Sequence, residues 1–281
     1  MEKSLYRQEG KRGENARPKI SVIMGVYNGA DRMDRAIASI CEQSFTDWEF
    51  IICDDASTDH TWEKLVEWSN KDRRIVPIHN EKNLKLAATL NKCIQHTSGY
   101  YIARMDDDDF SYPWRFEEQN AFLDANPQYA FVSGQVDGIT KEGMIENYWH
   151  RKEFPEKKDF LKCSQFIHPA TVFRKEPLIK AGGYRIALET RRMEDYDLFM
   201  RLYAMGYIGY NLQRPMLQYT VDMKKTKYIH RIDEVKVRLK GFKELGLLPL
   251  GLPYVIRPLI VGLIPQNILR KIKNRKREEK Q

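Results

Sequence analysis

The sequence contains no C-x-x-C pair. Its four cysteines, Cys41, Cys53, Cys93 and Cys163, stand far apart. That argues against paired zinc ligands and a disulfide framework; Cys53 and Cys93 lie in apolar patterns and read as buried thiols of a reducing compartment. There is no RNP-like aromatic motif and no basic zipper. Net positive charge is scarce outside one place: of the formal +8, the run RKIKNRKREEKQ (270–281), with seven basic and two acidic residues, holds +5. A nucleic-acid binder spreads its charge over the folded surface, so nucleic acid is not the expected partner. The opening MEKSLYRQEGKRGENARPK has no apolar stretch. It predicts no secretory signal, a disordered segment over 1–18 and a cytoplasmic protein.

Long apolar runs are also missing. LLPLGLPYVIRPLIVGLIP (247–265) comes nearest, but four prolines and Arg257 interrupt it, and a spanning helix needs ~20 predominantly apolar residues. An apolar stretch followed at once by basic charge suits rest on an anionic membrane face. Packing of this arm on its own domain or in a homodimer is the alternative.

What is present is a chain of 281 residues, 42% hydrophobic and 11% aromatic, enough for the core of one large domain. KISVIMG (19–25), WEFIICDD (48–55), RRIVPIHN (73–80) and GYYIARMD (99–106) have strand character. DRMDRAIASICEQS (31–44), STDHTWEKLVEWSN (57–70) and LKLAATLNKCIQHT (84–97) lie between them with helical spacing or cap chemistry. This alternation predicts βαβ units and a largely parallel sheet. A helix is expected from Pro113 to Asn126, strands at 129–134, 170–175 and 207–213, and a helix over 193–206. Residues 135–168 lack period and read as irregular.

In an open α/β sheet, ligands bind outside the carboxyl ends of the strands. Three candidate strands end there in GVYN (25–28), CDDAS (53–57) and RMDDDD (104–109). Packed carboxylates repel, so Asp106 to Asp109 point either to a bound cation or to a solvated loop. An oxygen-only cluster suits magnesium held by one or two carboxylates plus substrate phosphates, and no neighbouring His or Cys suggests zinc.

SVIMGVYNG, SICEQSFTDWEFIICDDASTD, YIARMDDDDFSYPWRFEEQ and RRMEDYDLFMRL, in this order over roughly 19–220, resemble family 2 glycosyltransferases of the GT-A fold. The likeness is strongest to bacterial members that build exopolysaccharide or capsule. A helical, basic, membrane-associating extension (221–281) is expected from the composition beyond residue 220; the likeness itself implies a Rossmann-like α/β domain (19–220) with a mostly parallel central sheet flanked by helices. It places Tyr27 and Asn28 near the nucleotide base and Asp55 on uracil or ribose. It puts the Asp-x-Asp motif on Asp106, Asp107 and Asp108, with Asp108 the ligand of Mn2+ or Mg2+. Asp195 would be the catalytic base. The implied reaction is inverting transfer from a nucleoside diphosphate sugar, expected to be UDP-linked, to a glycan acceptor on a lipid carrier at the inner membrane face. The strand end Tyr219-Thr220 departs from the Tyr-Arg of many relatives, which removes one expected phosphate-binding arginine.

Bland readings stand beside several of these. Asp195 in a first helical turn can merely complement the helix dipole, although Leu198, Phe199 and Leu202 place it on the core-facing stripe. Glu194 orients the acceptor or caps the helix. Arg192, with Arg191, closes over the diphosphate or is solvated. His168 lies near the acceptor or is structural. A non-catalytic nucleotide-sugar-binding protein is the alternative of another class. A nucleotidyltransferase would need a glycine-rich basic loop after the first strand, which GVYNGADRMD does not supply.

Overall fold

A computed structural model describes residues 17–141, 143–221 and 228–263. The expected disordered start, except Arg17 and Pro18, and the basic run 270–281 lie outside the described residues. In chain order the elements are β1 (Ile20–Val26), α1 (Met33–Cys41), β2 (Trp48–Asp54), α2 (Thr61–Lys71), β3 (Ile75–His79) and α3 (Leu86–His96). Next come β4 (Tyr101–Arg104), β5 (Phe110–Ser111), α4 (Arg115–Ala125), β6 (Tyr129–Thr140), β7 (Gly143–Trp149), β8 (Val172–Arg174) and α5 (Lys175–Lys180). The last are α6 (Glu194–Ala204), β9 (Ile208–Thr220), α7 (Ile229–Glu244) and α8 (Leu252–Leu263). Short 3-10 turns occupy Lys157–Leu161 and His168–Ala170.

The strands form one sheet in the order β3-β2-β1-β4-β8-β6-β9-β5, with β7 paired to β6. β1, β2, β3 and β4 are mutually parallel. β8 runs against both β4 and β6, and β6 is parallel to β9. Six of the nine strands therefore point one way, as the expected mostly parallel sheet requires.

Side-chain alternation divides the interior into two layers. Ile20, Val22, Met24 and Val26 of β1 pack with Met33, Ile37 and Ile40 of α1 and with Phe116 and Leu123 of α4. Ile23 of β1 and Ile51 and Cys53 of β2 face the other way, onto Leu90 and Cys93 of α3 and Leu198, Phe199 and Leu202 of α6. Val237 and Phe242 of α7, Leu245 and Val255 of α8 belong to this second layer. Part of the segment expected as an extension thus completes the domain core. Gly209 lies against the Phe131 ring, where a Cβ would come to 2.1 Å, so β9 can pack there only with glycine.

Residues 135–168 depart from the irregular reading. β6 continues to Thr140 and turns back through β7. β7 is mostly exposed, so it has no buried face to impose alternation on its sequence. In β6, buried Gln135 and Asp137 stand where apolar residues would have shown the pattern. β9 likewise runs on past the expected end at 213 to Thr220, with an irregular register around Pro215.

Candidate active site

The topology brings distant segments to one edge. β1, β2 and β4 end there because they are parallel, and β8 begins there because it runs the opposite way. The turn His168–Ala170 just before β8 is therefore delivered to the carboxyl ends of its neighbours. α6 leads through a short turn into β9 and so starts at the same edge, which places Glu194 and Asp195 in its first turn.

A cavity of about 390 Å³ opens here, and Asp106, His168, Arg192, Glu194 and Asp195 all line it. A second, smaller cavity of about 70 Å³ is lined by Gly25, Val26, Tyr27, Asp55, Leu86 and Thr89. Leu86 borders both, so the two adjoin. Asp107 and Asp108 do not line either one. Asn28 does not either; it has φ +49°, and its Oδ1 accepts from the Thr58 backbone N–H at 2.9 Å. Its side chain ties the loop after β1 to the loop after β2. Arg191 turns away to Asp233 of α7, at 3.1 Å.

Asp55 is buried and held by three hydrogen bonds. Its carboxylate accepts from Asn80 Nδ2 at 2.8 Å, Leu84 N at 2.7 Å and Lys85 N at 2.9 Å. It thereby fixes the turn into α3, where Lys85 has φ +71°, and so shapes the wall of the smaller cavity.

The four adjacent aspartates are not equivalent. Asp106 pairs with Arg104, and Asp107 with Arg32 at 2.6 Å. Gly29 allows the latter contact, because a Cβ there would meet Asp107 Oδ2 at 2.8 Å. Asp109 is fully buried and accepts from the Thr220 N–H at 2.8 Å. Burial, then the charge of Asp106, drives its pKa well up. Among the described residues no basic side chain forms an ion pair with Asp108. Burial, then Asp106 and Asp107, pushes its carboxyl up to about 6.

Those observations bear on a divalent ion. Among the described residues no group of three or more His, Cys, Asp or Glu side chains could hold a metal alone. An uncompensated carboxylate beside two paired ones fits the pattern in which protein supplies one or two oxygens and substrate phosphates the rest.

At the other wall, burial first and then Asp195 pushes Glu194 up to about 7, and its Oε2 is buried without a partner. Burial, with Asp106 adding, pushes Asp195 up to about 6, while Arg151 holds it down. His168 is buried and faces the Tyr184 hydroxyl at 2.7 Å. Burial and the Arg104 charge lower its pKa well below the usual range, so it is neutral at pH 7.

The model of the family described as "Glycosyl transferase family 2" matches residues 21–182. The chain belongs to glycosyltransferase family 2. It is 36% identical over 262 residues to the putative glycosyltransferase EpsE of Bacillus subtilis (strain 168), covering 92% of this chain and 94% of that protein. The structure of S. aureus TarS 1–349 in complex with UDP-GlcNAc superposes with a TM-score of 0.68 at 17% identity, over 85% of this chain and 73% of that one. The mannosyltransferase PcManGT of Pyrobaculum calidifontis, in complex with GDP-Man and Mn2+, gives a TM-score of 0.60 at 20% identity, over 92% and 80%. The two structural likenesses establish the shared fold.

The family 2 motifs did not flag several residues of the cavity. Arg104 is fully buried, lines the cavity and leaves Nε and Nη1 without partners. A charged residue closing the apolar run YYIA was the available signal. Trp149, Arg151 and Tyr219 also line the cavity. Trp149 and Arg151 fall in the stretch that lacked period, and nothing in the local pattern marks them.

Proposed function

We propose that the protein is an inverting glycosyltransferase that moves a sugar from a UDP-sugar to a hydroxyl of a glycan acceptor in cell-surface polysaccharide synthesis. The observation that carries this is the shared cavity: Asp106 and Asp195, 89 residues apart in sequence, line the same wall space. The nucleoside takes the adjoining cavity at Tyr27 and Asp55, and the diphosphate reaches towards Asp106 and Asp108.

Mn2+ or Mg2+, held by Asp108 with Asp106 and Asp107 beside it, would neutralise charge on the leaving diphosphate. Asp195 accepts the proton of the acceptor hydroxyl as it attacks the anomeric carbon, an effect of ~10²–10⁴-fold. With Asp195 as the base and the acceptor hydroxyl itself attacking the anomeric carbon, displacement is single and the anomeric configuration inverts. Glu194 orients the acceptor hydroxyl, and neutral His168 offers it a hydrogen-bond partner. Arg192, exposed at the mouth, meets the diphosphate as it enters.

A thermal-shift series tests the donor. UDP with Mn2+ is expected to raise the melting temperature more than GDP or CDP with Mn2+, and more than UDP alone, since stabilisation follows affinity. Equal shifts for all three nucleotides would overturn the UDP assignment. Binding without turnover across a donor and acceptor panel would favour a nucleotide-sugar-binding protein instead.

The acceptor is proposed to be carried on lipid, with the protein peripheral at the inner face of the membrane. Among the described residues no helix is long and apolar enough to cross a membrane. α8 instead leaves Leu252, Ile256, Ile260 and Leu263 exposed, while Val255 and Pro258 are buried. That apolar row precedes the basic run 270–281, and together they match an anionic bilayer surface. Ile256→Asp with Ile260→Asp is expected to abolish sedimentation with phosphatidylglycerol vesicles. Equal pelleting of variant and wild type would show that α8 is not the contact.

A further inference from the structure

We propose that the part of the cavity built by β7 and β9 is an acceptor subsite for a pyranose carrying an anionic group. Trp149 and Tyr219 form the platform for the ring, and Arg151 is the partner for the anion. This rests on the glycosyltransferase reading above.

The platform is made by neighbouring strands. Trp149 ends β7 and lies opposite Val136 of β6, while Tyr219 near the end of β9 lies opposite Gly138. Their rings are 4.6 Å apart at 38°, and both border the cavity. Tyr219 lines the cavity together with Asp106 and Asp195, so the platform reaches the reacting end. A pyranose has an apolar C–H face that packs on such rings, and its hydroxyls then project towards Asp195.

Arg151 is positioned independently of its side chain. Its N–H donates to Gln135 Oε1 at 2.7 Å and its carbonyl accepts from Gln135 Nε2 at 2.9 Å. The guanidinium lies 5.6 Å from the Trp149 ring centre. Its Nε is buried without a partner, and among the described residues no carboxylate forms an ion pair with it. An unpaired buried donor costs free energy that a ligand acceptor recovers. Arg238 is committed to Glu234 at 2.9 Å and to the carbonyls of Leu161 and Lys162. Arg104 keeps free Nε and Nη1 donors but is ion-paired to Asp106 of the acidic cluster. Arg151 is thus the cation beside the aromatic platform that has donor capacity and no carboxylate partner among the described residues. A planar guanidinium matches carboxylate and phosphate alike, two hydrogen bonds at a time.

The anion belongs to the acceptor and not the donor because of where Arg151 comes from. The nucleoside cavity lies at β1 and β2, whereas β7 hangs on β6, beyond β4 and β8 in the sheet. Two sources share this chemistry: the phosphate of a glycosyl diphosphate, or the carboxylate of a uronic acid.

Calorimetric titration of the full chain tests the subsite, with UDP and Mn2+ present and absent. The probes are methyl glucuronide, an alkyl-linked glucosyl diphosphate and methyl glucoside. At least one anionic probe is expected to bind ~10-fold or more tighter than the neutral one, the worth of a charge-assisted pair. Arg151→Gln should erase that difference, Arg151→Lys should restore part of it, and UDP affinity should move less than about twofold in either. Trp149→Leu should weaken charged and neutral probes together, and Trp149→Phe should retain both. The anion that gains more identifies the source. Equal binding of charged and neutral probes overturns the proposal, as does an Arg151→Gln that loosens UDP as much as the anionic probe. If UDP does not bind the wild-type chain, the donor reading fails, and the titrations without UDP still decide the subsite.

Discussion

Asp195→Asn is expected to lower turnover by ~10²–10⁴-fold and at the same time to make the fold more stable at neutral pH. The loss of turnover follows from replacing the proposed base with an amide that cannot take a proton. The gain in stability follows from the direction of the pKa shift. Burial and Asp106 raise the Asp195 carboxyl from an ordinary value of 3.8 to about 6. A carboxyl raised by folding contributes stability that is fully present below the unfolded value and is lost as pH rises through the folded one. At pH 7.5 the ionised group is therefore a net cost, and it also raises its neighbour Glu194. The neutral amide removes both burdens. A rise of about 2–4 °C in melting temperature is expected at pH 7.5, since 1 kcal/mol moves a domain of this size by roughly that much. The difference should shrink towards pH 4. In the wild type, kcat/KM should rise with pH through about 6 as the base ionises. Scanning calorimetry at three pH values and a pH–rate profile read these together. Lost activity with a lowered melting temperature would instead fit a carboxylate that complements the α6 dipole.

This trade-off explains which parts were legible in the sequence. β1 to β4 and α1 to α3 are buried on regular faces, so their apolar spacing announces them, and their ends fall where the observed strands end. Strand direction alone put the segments 25–28, 53–57 and 104–109 at one edge, whereas Glu194 and Asp195 were expected there only from the likeness to family 2. β7 was hidden because an exposed hairpin strand need not alternate. The partners of the acidic cluster were hidden for another reason. Arg32 meets Asp107 across 75 residues of chain, and Gln135 pins Arg151 across 16. Such contacts depend on the finished sheet and leave no local trace. That Asn28 Oδ1 also ties the loop after β1 to the loop after β2 left no trace in the local pattern. The four aspartates looked alike, yet Asp109 is fully buried and arginines claim Asp106 and Asp107. Only the folded environment distinguishes Asp108.

Asp108 is the second position where a single substitution should have a large effect. It is the one carboxylate of the cluster that is neither ion-paired among the described residues nor fully buried, and burial and two neighbouring charges push it up to about 6. A cation shared with the donor diphosphate relieves that repulsion and is bound more tightly for it. Asp108→Asn removes the charge with little change of shape. It is expected to leave the fold intact and to remove the metal-dependent part of donor binding, about 100-fold in affinity or ~2.7 kcal/mol. Asp195→Asn, at the acceptor side, should retain it.

Calorimetric titration of UDP, with and without Mn2+, into wild type, Asp108→Asn and Asp195→Asn is the decisive measurement. Tight binding that needs Mn2+ in the wild type and in Asp195→Asn, and weak binding indifferent to Mn2+ in Asp108→Asn, is the expected result. An Asp108→Asn protein that binds UDP with Mn2+ as tightly as the wild type would contradict a cation joining this acidic cluster to the donor.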